Sequence, residues 1–153
     1  MESKLFADNH FHFIGIGGIG MSAIAMALLK KGFSVSGSDL IQNDQILLLK
    51  KMGAPIFIFQ ESKNIDFVKR TYPDKELVIV ISSAIRKDNK ELSYSNKKNL
   101  TIKHRSEILS FIMNTYNSIG VAGSHGKTST STFLTTLLDA CTKNTSSIIG
   151  GIQ

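Results

Sequence analysis

A single cysteine, Cys141, in 153 residues leaves no partner for an internal disulfide and fits a reducing cytoplasm. Two prolines, with 12 glycines that follow no short period, exclude collagen-like and low-complexity organisation. No stretch is apolar for long enough to cross a membrane. Phe11–Leu29 comes nearest, but Gly15, Gly17, Gly18 and Gly20 interrupt it, so a strand, turn and helix account for it better. A leader pattern is lacking too: Met1–Asn9 is charged and polar, with no apolar region and cleavage site behind it. The expectation is a soluble, cytoplasmic, globular chain.

Acidic residues are scarce relative to basic ones, 12 against 18, giving a net charge of +6. Nucleic-acid binders cluster such an excess and interleave it with aromatics. Here it is dispersed as Lys30-Lys31 before Gly32, Lys50-Lys51 before Gly53 and Lys97-Lys98 before Asn99. Each pair reads as the end of a helix, where cations complement the helix dipole and the next residue tolerates the left-handed cap. No nucleic-acid partner is expected, and no oligomeric state is implied.

What is present is an alternation of strand and helix patterns. Phe11–Ile16 reads as a strand, Met21–Lys31 as a buried helix, Phe33–Gly37 as a strand and Ile41–Met52 as a helix with Leu48, Leu49 and Met52 on one face. Pro55–Phe59 is a short strand, and Ser62–Tyr72 a helix or helical turn stopped by Pro73. Leu77–Ile81 is unbroken apolar sequence, the mark of an interior parallel strand. Asp88–Lys98 reads as a helix, Leu100–Lys103 as a strand and Ser106–Asn114 as a helix. The fold class that follows is α/β, a Rossmann-like, doubly wound parallel sheet over residues 1–115. A second start comes after Tyr116: strand Ser118–Ala122, a glycine-bounded loop, helix Lys127–Cys141 with Phe133, Leu134, Leu137, Leu138 and Cys141 on one side, and strand Ser146–Ile149. Residues 116–153 thus read as the first strand, phosphate loop and helix of a second α/β domain. Such a domain needs several strands and this stretch supplies about two, so the chain is expected to be a fragment or early-terminated copy of a longer protein.

Two glycine loops carry the chemistry. Gly15-Ile16-Gly17-Gly18-Ile19-Gly20-Met21-Ser22 holds Gly-x-Gly-x-x-Gly between a strand and a helix, the context of a nucleotide diphosphate site. Gly15 permits the tight turn, Gly17 lets a diphosphate approach the backbone, and Gly20 allows close helix–strand packing. Asp39 follows Gly20 by 19 residues at the end of the second strand, where a ribose-binding acid is expected. The plainer reading is a tight turn alone, and the motif does not specify which dinucleotide or nucleotide sugar binds. Gly123-Ser124-His125-Gly126-Lys127-Thr128-Ser129 is a phosphate loop in chemical terms, although the strict pattern wants glycine where Val121 stands. Lys127 would reach the β- and γ-phosphates, Thr128 would ligate Mg²⁺, and the amides of Gly123–Lys127 would form the anion nest. The plainer reading is an ordinary turn with an exposed lysine.

In order and spacing these stretches resemble the Mur ligases of bacterial cell-wall synthesis. The resemblance runs through His12–Ser22, Gly37-Ser38-Asp39-Leu40, Ser82-Ser83-Ala84-Ile85, Asp88-Asn89, Arg105 with Glu107, and Gly123–Thr128. Departures are Ser124 and Ser129 for threonine, Lys90 for proline, and Phe59-Gln60 for a common Gly-His. The run at 12–22 resembles one branch of that family more than its sister ligases. The resemblance implies an N-terminal domain for UDP-N-acetylmuramate, a central domain for ATP with Mg²⁺, and a third domain beyond. It implies formation of an acyl phosphate from the substrate carboxylate, attacked by the amine of L-alanine. UDP-sugar contacts are expected at Gly15, Gly17, Gly18, Gly20, Met21, Ser22, Asp39, Ser82 and Ser83, and ATP contacts at Gly123–Ser129, with Lys127 and Thr128 catalytic. The 153-residue chain alone is expected to be inactive in ligation.

Other residues have blander accounts. His10 and His12 read as strand-edge histidines rather than metal ligands, for want of a third ligand nearby. His125 either approaches the nucleotide or shapes its turn. Ser82 and Ser83 either donate to the sugar or diphosphate, or cap a helix. Cys141 reads as core, and Met21, Met26, Met52 and Met113 as packing. Two competing functions stand beside the ligase: an NAD(P)-binding domain of an oxidoreductase, which Gly15–Asp39 alone would allow, and a non-catalytic UDP-sugar-binding module.

Overall fold

The computed structural model describes residues 8–142, 145 and 147–149. Five strands, β1 (Asn9–Ile14), β2 (Ser34–Ser38), β3 (Ile56–Phe57), β4 (Glu76–Ile81) and β5 (Thr101–His104), form one sheet in the order β3-β2-β1-β4-β5. Every pairing is parallel. Parallel neighbours need crossovers, and the helices provide them: α1 (Ile19–Lys30), α2 (Asp44–Lys51), α3 (Ser62–Thr71), α4 (Lys90–Lys97) and α5 (Arg105–Thr115).

The period of two along β1 divides the core. Phe11 and Phe13 face one side, where Ile24 and Leu28 of α1, Ile46 and Leu49 of α2 and Ile108 of α5 pack. Ile14 faces the other, with Ile65 and Val68 of α3 and Leu92 of α4. Helices therefore cover both faces, and the chain changes sides between β3 and β4. The sheet consequently has a topological switch between β1 and β4, and ligands of such sheets bind outside the carboxyl ends of the strands at that point. The helix-end lysine pairs fall where expected: Gly32, Gly53 and Asn99, the residues that follow them, all have positive φ.

Several expectations are corrected. Residues 118–122 form no strand; Ile119 is 66% exposed, and no neighbouring strand takes up the backbone N–H and C=O groups that a strand must pair. Of the strand expected at 146–149, Ser146 lies outside the described residues and 147–149 are not extended into a sheet. The helix at Lys127–Thr142, α6, has no buried residue. Its apolar side is open, with Phe133 at 72% exposure, and Cys141 is exposed rather than core. In α2, which starts after an Asn43 cap rather than at Ile41, the buried pair is Ile46 and Leu49, i and i+3 on one face, with Leu48 exposed on another. Met113 is likewise exposed. His10 and His12 are not at a strand edge: β1 is the middle strand, and both rings are buried beneath α3 and α4.

Candidate functional site

The turn after β1 is built on the end of β2. The Ser38 carbonyl accepts from Gly15 N at 2.8 Å and Ile16 N at 3.0 Å, and Gly18 N closes the turn onto the Gly15 carbonyl at 3.2 Å. Gly15 sits at φ +79°, which an L side chain tolerates poorly. The amide of Gly17 donates to Asp39 Oδ2 at 2.8 Å, and Asn43 Nδ2 donates to the Gly17 carbonyl at 2.9 Å. Asp39 Oδ1 accepts from the amides of Leu40 at 2.7 Å and Ile41 at 3.2 Å. A Cβ at Gly17 would lie 2.9 Å from that carboxylate and 3.0 Å from Ile46. The close approach expected for a diphosphate at Gly17 is thus made here by the protein's own anion.

Around this turn the remaining expected residues divide. Gly18 and Ile19 are exposed at the carboxyl edge of the sheet. Gly20 opens onto Arg105, the first residue of α5, whose guanidinium would collide with a Cβ there. The close packing expected at Gly20 falls instead at Gly37, where a Cβ would lie 2.6 Å from Ile16 Cδ1 and 2.8 Å from the Phe13 carbonyl. Met21 is buried in the core, and the buried Ser22 hydroxyl donates to the Ile19 carbonyl at 3.0 Å, so neither side chain reaches the open edge.

The turn after β4 lies alongside. Ile85 Cδ1 is 3.0 Å from where a Gly15 Cβ would be, and Ile85 N donates to the Ser82 carbonyl at 3.1 Å. Ser82 is half-buried and Ser83 exposed. Neither caps a helix: the cap of α4 is Asn89, which accepts from Leu92 N at 3.0 Å and donates to Gln60 Oε1 at 2.8 Å. Arg105 is set by a capping box at the start of α5, where Glu107 accepts from His104 N at 2.7 Å and Lys103 Nζ at 3.0 Å. That backbone bond, with Lys103, holds the Glu107 carboxyl below its usual range. The fold therefore gathers Gly15–Gly20, Asp39, Ser82, Ser83 and Arg105 at the switch between β1 and β4.

The second loop leads into α6. Gly126 has φ +75°, and its carbonyl accepts from Thr130 N at 2.9 Å. Lys127 Nζ folds back to the carbonyls of Gly123 at 2.5 Å and Ser124 at 3.3 Å. Ser124, His125, Thr128 and Ser129 are exposed beside it. Among the described residues no hydrogen bond uses the amides of 123–126, and the loop is exposed with the Lys127 ammonium folded against it. This arrangement fits a polyphosphate.

Comparison with known proteins now decides the family. The model described as "Mur ligase family, catalytic domain" matches residues 10–117. The chain belongs to the Mur ligase family. It is 65% identical over 152 residues to a protein of Prochlorococcus marinus subsp. pastoris named UDP-N-acetylmuramate–L-alanine ligase, covering 99% of this chain and 32% of that relative. A Synechococcus sp. CC9605 protein of the same name is 48% identical over 99% of this chain and 32% of its own length. Among solved structures, the UDP-N-acetylmuramate–alanine ligase MurC of Thermotoga maritima superposes with a TM-score of 0.80 at 29% identity, covering 94% of this chain and 32% of that one. A murein peptide ligase of Psychrobacter arcticus superposes at 0.75 with 26% identity, over 87% of this chain and 27% of that one. The chain spans about a third of the length of the curated relatives it matches.

In this Mur ligase chain the sequence reading missed a buried polar row beneath α3 and α4: His10, His12, Ser36, Ser38, Asn64 and Glu91, none more than 1% exposed. The available signal was the alternation His10-x-His12 in β1 beside Ser34-x-Ser36-x-Ser38 in β2. Polar residues at period two within strands otherwise apolar mark a buried face that must be satisfied internally.

Proposed function

We propose that this chain is the N-terminal portion of a cytoplasmic ATP-dependent ligase that joins L-alanine to UDP-N-acetylmuramate in peptidoglycan precursor synthesis. Residues 1–115 hold the UDP-sugar, and residues 116–153 begin the ATP-binding domain. The observation that carries the reading is the pairing, in one chain, of a glycine turn at the sheet's switch point with a Gly-Lys-Thr loop whose ammonium sits against its own carbonyls. An oxidoreductase has no use for the second loop.

In the reaction so proposed, a carboxylate oxygen of the sugar attacks the γ-phosphorus of ATP, the bond from that phosphorus to the β-bridging oxygen breaks, and ADP leaves. The amine of L-alanine then attacks the acyl carbon, the carbon–nitrogen bond forms, phosphate departs and the nitrogen loses a proton. Lys127 would move from the Gly123 and Ser124 carbonyls to the β- and γ-phosphates, and the amides of 123–127 would bind their oxygens. Gly18, Ser82 and Ser83 would hold the UDP-sugar at the other edge. Mg²⁺ would be held by Thr128 and the phosphates and would neutralise charge on the migrating phosphoryl group. No group of three or more His, Cys, Asp or Glu that could hold a metal ion is found among the described residues. No described helix is long and apolar enough to cross a membrane.

Titration calorimetry of the 153-residue chain with UDP-N-acetylmuramate, Mg-ATP and NADH tests this reading. Binding of the first two without the third is expected. Tight NADH binding with no response to the UDP-sugar would overturn it in favour of an oxidoreductase domain. L-alanine-dependent ADP release is not expected from this chain alone, which spans about a third of its relatives' length.

A further inference from the structure

The buried row has a definite chemistry. Glu91 of α4 accepts from Ser38 Oγ at 2.5 Å and Asn64 Nδ2 at 2.7 Å, and its Oε1 lies 3.4 Å from His12 Nε2. One carboxylate thereby ties β1, β2, α3 and α4 together. On the far side of His12, Ser36 Oγ lies 2.8 Å from His12 Nδ1 and 2.7 Å from His10 Nε2, and His10 Nδ1 is 2.6 Å from Ser34 Oγ.

A hydroxyl has one proton, so Ser36 donates to one ring and accepts from the other. With neutral rings there are two directions. If Ser36 donates to His10, His12 carries its proton on Nδ1 and turns a bare lone pair on Nε2 toward the carboxylate. If Ser36 donates to His12, His12 donates from Nε2 to Glu91, His10 donates from Nε2 to Ser36, and Ser34 donates to His10 Nδ1. Only the second direction places a proton, rather than two facing acceptors, between His12 Nε2 and the Glu91 carboxylate. The ring of His10 also stacks on Tyr72 at 4.1 Å, and burial, His12 and Lys75 hold its pKa down to about 3, which keeps it neutral. The row matters at the edge of the sheet because Ser38, the residue Glu91 grips, supplies the carbonyl that holds the amides of Gly15 and Ile16.

We propose that Glu91 is a positioning residue: it fixes one direction of hydrogen bonding through His12, Ser36 and His10, and through Ser38 it holds the strand end on which the glycine turn is built. The consequence for UDP-sugar binding rests on the function proposed above; the direction of the row does not.

The test uses the ¹⁵N-labelled 153-residue chain, Glu91→Gln and Glu91→Met. Long-range ¹H–¹⁵N spectra of the imidazoles are expected to show both buried rings neutral with the proton on Nε2 in the parent and in Glu91→Gln, which keeps an acceptor at the Oε1 position. In Glu91→Met, His12 loses its single tautomer, exchange of the Gly15 and Ile16 amides quickens by at least about tenfold, and UDP-N-acetylmuramate binding weakens by a similar factor, with Mg-ATP binding unchanged. Should Glu91→Met fail to fold, Ser36→Ala decides. It cuts the row between the rings and leaves Glu91 on Ser38, so His12 keeps its Nε2 proton and the turn amides keep their protection. His12 protonated on Nδ1 or on both nitrogens in the parent overturns the proposal, as does unchanged amide protection in Glu91→Met or lost protection in Ser36→Ala. A parent chain that binds no UDP-N-acetylmuramate overturns the proposed function instead, and the tautomer and exchange results still stand.

Discussion

Gly37→Ala is the sharpest test of how the turn is built. Gly37 lies in β2 between Phe13 of β1 and Ile56 of β3. An added Cβ would meet Ile16 Cδ1 at 2.6 Å, Ile16 Cβ at 2.8 Å and the Phe13 carbonyl oxygen at 2.8 Å. None of these can move aside cheaply. Ile16 is fully buried and its Cβ is fixed to the turn backbone, while the carbonyl belongs to the central strand. Overpacking of this kind costs about 3 kcal/mol, less the roughly 0.4–1 kcal/mol that alanine gains by restricting the unfolded chain. At roughly 2–4 °C per kcal/mol for a chain of this size, the melting temperature falls by about 5–10 °C. Gly18→Ala is the control, since its Cβ would stand 3.5 Å from the Gly15 carbonyl and its φ of −63° suits any residue. Thermal unfolding followed by circular dichroism reads both variants. Equal melting temperatures for Gly37→Ala and Gly18→Ala would refute the claim that Ile16 is wedged against β2.

Lys127→Met removes the ammonium from an exposed loop, so Mg-ATP affinity is expected to fall at least about tenfold with the melting temperature unmoved; retained affinity by calorimetry contradicts the phosphate-loop reading. Arg105→Met keeps the stem over Gly20 and deletes the charge, and UDP-N-acetylmuramate affinity is expected to fall about tenfold, again without loss of stability; an unchanged affinity removes Arg105 from the site. His10, whose pKa is held down to about 3 from an ordinary 6.5, takes its proton readily only when unfolded. Stability is therefore full above pH 6.5 and falls by up to about 1.4 kcal/mol per pH unit from 6.5 toward 3. Urea unfolding between pH 7.5 and 4.5 should show a shallower slope for His10→Phe than for the parent, and parallel slopes refute the assignment.

The sheet could be read from the chain because its signals are local. Leu77–Ile81 is apolar at strand length, Phe11, Phe13 and Ile14 are apolar around His12, and the lysine pairs before Gly32, Gly53 and Asn99 mark helix ends within a turn of where they occur. The glycine turn was legible for the same reason, as a short motif between two such elements. What could not be read depends on partners far along the chain. Nothing near Glu91 announces that a charge in the first turn of a helix is buried; its partners Ser38 and Asn64 are 53 and 27 residues away. Residues 118–122 have strand composition, but a strand exists only beside another, and none lies beside them among the described residues. The tight approach at Gly37 is not announced by the motif, which carries no information about which side chain fills the space above a strand glycine.

Asp39 changes what the first turn can bind. A phosphate placed against the Gly17 amide would share that donor with a carboxylate already 2.8 Å away. Two like charges about 4 Å apart repel by about 4 kcal/mol at the effective dielectric of a protein surface, more than a charge-assisted hydrogen bond returns. A diphosphate therefore has reason to avoid Gly17 while Asp39 remains in place. It finds better company toward Gly18 and Gly20, where α1 begins, the dipole favours an anion, and the Arg105 guanidinium stands over the backbone. The same sequence pattern that suggests a dinucleotide site is, in this fold, partly satisfied from within, and its open half is displaced toward α5 and the turn after β4. Under the proposed function, a sugar nucleotide held there would extend across the switch point between β1 and β4 instead of lying along β2.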